Sequence, residues 1–96
     1  MRETAVERRL IQKVKQANGI CIKIWPVVRG LPDRLVLLPR GRLFLIETKA
    51  PDGALRPAQQ VFKDRAEAIG VPVAVLYSTR EVDAWVEARV REGEES

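Results

Sequence analysis

Residues 30–50, GLPDRLVLLPRGRLFLIETKA, decide how this chain folds. Two apolar runs, RLVLL (34–38) and LFLIETK (43–49), flank the segment Leu38-Pro39-Arg40-Gly41-Arg42. Pro39 suits the second position of a type I turn. Gly41 suits the left-handed residue of the bulge that closes a three-residue hairpin loop. Such a loop pairs Leu38 with Arg42, Leu37 with Leu43, Leu35 with Leu45 and Asp33 with Glu47. Strand side chains alternate, so the last three pairs share one face, and Lys49, two residues past Glu47, joins them. Opposed residues of a hairpin lie about 4.5–5.5 Å apart at Cβ, and like charges there destabilise the sheet unless neutralised. A divalent cation would neutralise them, with Lys49 contributing; a solvated salt-bridge cluster at a strand end is the alternative. The residues alone leave both open.

Outward from the hairpin, the pattern is that of an α/β domain. Thr4–Ala17 carries Val6, Leu10, Ile11, Val14 and Ala17 at helical spacing and ends at Asn18-Gly19. ICIKIW (20–25) reads as a strand stopped by Pro26. RLVLL is apolar on both parities, which predicts a central strand covered on both faces. Pro57 opens a helix that runs to Ile69 before Gly70, VPVAVLY (71–77) is a strand, and Ser78-x-x-Glu81 resembles a capping box. Val82, Trp85, Val86 and Val90 form the apolar stripe of the last helix, and core packing is the expected role of both Trp25 and Trp85. The order is α-β-β-β-α-β-α, a single domain over residues 1–92 built on a mixed sheet, with a frayed polar tail at 93–96. Asp52-Gly53 reads as a turn.

Ninety-six residues with 46% apolar and 31% charged content make one small globular domain. No run approaches a membrane span, and Met1-Arg2-Glu3-Thr4 lacks a signal-peptide core, which points to the cytosol. The lone Cys21 reads as a small buried hydrophobe in a reducing compartment. With no histidine and one cysteine, zinc sites and histidine triads are excluded, so any metal is a hard cation on oxygens, Mg²⁺ or Mn²⁺. The net charge of +4 favours a polyanionic partner. Arg8, Arg9, Lys13, Arg29 and Arg34 are candidates for phosphate contacts, each with a solvated charge as the alternative. Thr4-x-x-Glu7 fits a capping box, yet Glu7 also lies on the helix stripe that faces the sheet. Gln59 borders the apolar face of its helix: the residues alone favour a solvated glutamine, and an amide turned to the charged end of the hairpin is the alternative.

Gly30-Leu31-Pro32-Asp33, then Glu47-Thr48-Lys49, then Gln59 opening a helix, resembles the signature of the VRR-Nuc family of the PD-(D/E)XK nucleases. The resemblance covers the core of the chain and implies a restriction-endonuclease-like fold and a metal-dependent DNA endonuclease. It implies Asp33 and Glu47 as ligands of Mg²⁺ or Mn²⁺, with the Thr48 backbone carbonyl as third oxygen. Glu7 would complete the acidic site. Lys49 would orient or activate the attacking water or stabilise transition-state charge, and Gln59 would position Lys49 or water. Arg56 stands where members often carry a small hydroxyl residue, which leaves open how that helix is capped. Stand-alone members resemble phage or bacterial junction-resolving enzymes of DNA repair and recombination. Branched DNA such as a four-way (Holliday) junction is then the expected partner, cut by a homodimer with two active sites. Flaps, nicked duplex, or a noncatalytic nucleic-acid-binding role on the same fold are the alternatives.

Overall fold

A computed structural model describes residues 4–95. Met1–Glu3, on which the signal-peptide expectation rests, and Ser96 lie outside the described residues. The elements follow the expected order: α1 (Ala5–Gln16), β1 (Ile20–Lys23), β2 (Arg34–Leu38), β3 (Arg42–Thr48), α2 (Pro57–Ala68), β4 (Val73–Leu76) and α3 (Thr79–Glu95). The sheet runs β1-β2-β3-β4. β1, β2 and β3 are antiparallel, whereas β4 pairs parallel to β3, a direction made possible by the crossover through α2.

The hairpin register is the one its leucines imply: Leu38 pairs with Arg42, Leu37 with Leu43 and Leu35 with Leu45. Its turn differs. Arg40 and Gly41 both have positive φ, 72° and 71°. A type I turn needs negative φ at Arg40, so loop length and register agree with expectation and the turn type does not. β1 stops at Lys23, two residues early, although the Ile24 N–H still bonds the Asp33 carbonyl at 2.9 Å.

The even-numbered positions of β2 and β3 build the core. Val36, Leu38 and Ile46 pack with Val6, Leu10 and Val14 of α1 and Val82 and Val86 of α3, all buried. Trp85 stacks edge-on against Phe44 at 5.1 Å. Cys21 packs against this cluster, and burial pushes its thiol up to about 11. Trp25 instead stands 74% exposed just past the end of β1, which corrects its assignment to the core. The tail, read as frayed from 93, is helical as far as the described residues go. α3 continues to Glu95, and Gly93 is buried where a Cβ would meet the Arg42 guanidinium at 2.5 Å.

The odd-numbered face is covered on one side only. α2 lies over β4 and part of β3, leaving Leu43 63% exposed, Ile20 and Ile22 exposed, and Leu35 and Leu37 half-buried. β2 is central, as its sequence implies, but the second cover is absent from the described residues. The doubly apolar pattern reports that leucines line both faces, not that this chain supplies both covers. Among the described residues no helix is long and apolar enough to cross a membrane.

Candidate metal-binding active site

The hairpin's open end lies on the same odd face, where β2 begins and β3 ends. Glu47, the penultimate residue of β3, is buried, and its Oε1 accepts the Asp33 backbone N–H at 3.0 Å. Its Oε2 accepts the Gln59 Nε2 at 2.8 Å and lies 3.3 Å from the Lys49 Nζ. Asp33 turns its carboxylate onto the following residue of β3: Oδ1 accepts the Thr48 N–H at 3.1 Å and Oδ2 the Thr48 hydroxyl at 2.7 Å. Asp33, Glu47, Lys49 and Gln59 are therefore linked at one strand end.

Burial raises both carboxyls above their ordinary values. For Asp33 the hydrogen bonds from Thr48 only partly offset burial. For Glu47 the neighbouring Asp33 adds to burial, and Lys49 counteracts it. Two crowded, half-desolvated carboxylates with one ammonium beside them form a site where added positive charge is favourable. A carboxylate has about four lone-pair sites. The hydrogen bonds above leave one open on each Asp33 oxygen and on Glu47 Oε1, while Oε2 is filled by Gln59 and Lys49. An all-oxygen set of this kind fits a hard divalent cation.

Gln59 is not a solvated helix residue. Its Oε1 accepts the Arg56 N–H at 2.8 Å while its amide nitrogen holds Glu47. That resolves the capping of α2: a guanidinium has no acceptor to offer, so the third helical residue closes the N-terminus from within. The side chain that caps the helix thus also grips the carboxylate.

Glu7 is buried on the sheet-facing stripe of α1, and its N–H completes the expected cap to the Thr4 hydroxyl at 3.0 Å. Beside burial, its charge helps to raise the Asp33 carboxyl, but the hydrogen bonds of its own carboxylate go to Arg34. Arg34 donates to Glu7 Oε2 through Nε at 3.1 Å and Nη2 at 2.9 Å, with both side chains almost wholly buried. No group of three histidine, cysteine or acidic residues able to hold a metal occurs among the described residues. Glu7 is thus an ion-pair partner here, and Arg34, a candidate for phosphate contact, is withdrawn from solvent. A parity signal in the sequence foretold this: Arg34 shares the even face with Val36 and Leu38, towards α1. Arg9 is engaged with Asp83 of α3 through two 2.8 Å hydrogen bonds, which lower the Asp83 carboxyl. Lys13 of α1 lines a cavity together with residues of α3, and Arg8 and Arg29 are exposed. Sequence reasoning named only the Thr48 carbonyl and missed its hydroxyl, which with the Thr48 N–H orients Asp33.

No family model matches the chain. A curated relative named "Putative nuclease p44", from Acyrthosiphon pisum secondary endosymbiont phage 1, is 40% identical over 79 residues, covering 81% of this chain and 85% of the relative. A solved structure described as a VRR_NUC domain superposes with a TM-score of 0.78 at 28% identity, over 85% of this chain and 90% of that one. The chain belongs to the VRR-Nuc family. The mixed sheet and flanking helices of the described residues are the fold of that family.

Proposed function

We propose that this VRR-Nuc protein is a metal-dependent endonuclease that cuts branched DNA, such as a four-way junction, as a homodimer. The observation that carries the reading is the convergence of Asp33, Glu47, Lys49 and Gln59 at one strand end. Asp33 and Glu47, with the Thr48 carbonyl, would hold Mg²⁺ or Mn²⁺. When bound, the ion supplies Lewis acidity towards the phosphoryl oxygens and acidifies water. Thr48 holds Asp33, and Gln59 holds Glu47, so neither carboxylate has to reorganise when substrate arrives. Lys49 keeps an ammonium 3.3 Å from Glu47, where it orients water and stabilises charge developing on the phosphate oxygens. Glu7 acts through Arg34, bracing the start of β2 behind Asp33.

The homodimer is supported by the open face of the sheet. Leu43, Ile20 and Ile22 are exposed on it, and Leu45, two residues from Leu43 on the same face, lines an apolar groove of about 930 Å³ with Val61, Phe62 and Ile69. Exposed apolar surface on this scale on so small a domain calls for a cover, and a second copy is one that every solution of this chain contains. A two-fold contact there would set two active sites side by side, as a symmetric junction requires.

The test is incubation of labelled four-way junction, flap, nicked and linear duplex with Mg²⁺, Mn²⁺ or EDTA. Cleavage is expected only with metal, and is expected to vanish in Asp33→Asn and Lys49→Ala while DNA binding remains. Binding without cleavage of any substrate would favour the noncatalytic module instead.

A further inference from the structure

We infer that Arg29 and Arg56 form a two-armed clamp for a second phosphate of the bound strand, flanking the scissile phosphate at the Asp33–Glu47 site. The inference rests on the nuclease reading of that site and adds a subsite to it. It begins at Gly30, whose φ is 89° and where a Cβ would lie 2.1 Å from the Ala58 carbonyl oxygen. Only glycine allows so close an approach of two backbones. The approach seats the segment before Asp33 on the first turn of α2.

Arg29 is thereby brought to the same cavity as Arg56, a space of about 440 Å³ that Gln59 also lines. Gln59 is the residue hydrogen-bonded to Glu47, so the cavity adjoins the acidic site through one side chain. Arg56 makes no capping bond with its side chain, so helix stability does not account for an arginine at this position. Neither guanidinium is held by a carboxylate among the described residues, whereas Arg9, Arg34, Lys49, Lys63 and Arg89 each are. Two unneutralised like charges lining one cavity disfavour each other until an anion enters, and guanidinium forks match phosphate oxygens in pairs. The anion has the chemistry of a nucleic-acid phosphate. It is either an internal phosphodiester or the terminal phosphomonoester of a nicked strand or flap.

The experiment measures DNA binding by the full chain in the Asp33→Asn background across a series of KCl concentrations. Arg29→Gln and Arg56→Gln are each expected to weaken binding about tenfold. Each should also lower the slope of log affinity against log salt by about one. The double variant should lose less than the product of the two, because both arms hold one phosphate. A neutral methylphosphonate is then walked along the strand on either side of the cut. One position should weaken the parent and leave the double variant unaffected. Nicked substrates bearing 5′-phosphate or 5′-hydroxyl at that position separate the sources: a preference for phosphate, lost in the double variant, identifies a terminal group, and indifference an internal diester. Slopes unchanged in both variants, or no position where methylphosphonate and arginine losses coincide, would overturn the clamp. Wild-type cleavage judges the nuclease reading separately: cleavage with unchanged slopes sinks the clamp alone, and absence of both binding and cleavage sinks both.

Discussion

Removing one partner of the Glu7–Arg34 pair should be among the most damaging single changes available in this protein. Both side chains are almost wholly buried, and the guanidinium reaches one carboxylate oxygen through two nitrogens at 3.1 and 2.9 Å. Glu7→Gln or Arg34→Met leaves an uncompensated buried charge, at a cost of about 3–5 kcal/mol. A domain of this length has about 5–15 kcal/mol of stability in all. Each kcal/mol lowers Tm by about 4–8 °C at this size, so Tm should fall by roughly 12–40 °C. The double variant Glu7→Leu with Arg34→Met replaces the pair by apolar groups and should return close to wild type. Urea denaturation of the two single variants and the double variant measures all three. The double variant should also keep any Tm rise on adding Mg²⁺, since Asp33 and Glu47 are untouched. Single variants within 1 kcal/mol of wild type would refute the buried-pair argument. A double variant that folds but loses its response to Mg²⁺ would return Glu7 to the metal site.

Three further outcomes follow from the geometry. Asp33 and Glu47 both titrate above their ordinary values, so between the ordinary carboxylate range and their raised values the unfolded chain is the more ionised. Their contribution to stability is full below the ordinary range and is lost as pH rises through the folded values. Metal-free Tm followed against pH should therefore show a decline in that window that is smaller in Asp33→Asn, and Mg²⁺ should raise Tm more at pH 8 than at pH 5. Gly30→Ala forces a side chain onto the Ala58 carbonyl at positive φ and should cost about 2 kcal/mol or more by denaturant midpoint; wild-type stability would mean that the loop does not seat on α2. Leu43→Lys, on the open sheet face, should leave the fold intact and shift sedimentation from dimer to monomer. A Leu43→Lys protein that stays dimeric would move the interface elsewhere.

Much of this site was legible because local chemistry and tertiary structure agree on it. The leucines of 35–45 and the spacing of Pro39 and Gly41 set the hairpin register, and register alone carries Asp33 towards Glu47 and puts Lys49 on their face. The stripe of Val6, Leu10 and Val14 and the caps at Thr4 and Ser78 are equally local: Thr4 and Ser78 hydroxyls accept the N–H groups three residues on. Arg40's left-handed φ was not legible, because a residue of that type rarely adopts it without the surrounding strands to hold it there.

Which groups meet across elements was decided only by the packed structure. Sequence put Glu7 on an inward stripe, but its pairing with Arg34 depends on where α1 crosses the sheet. Sequence made β2 apolar on both sides, but which face the chain's own helices cover depends on α1 and α3 packing together on the even one. Gln59's double grip on Arg56 and Glu47 likewise exists only because the crossover lays α2 beside the end of β3. Periodicity encodes which side of an element is apolar and where its charges fall. The partner each charge takes is set by long-range contact, after the backbone has closed.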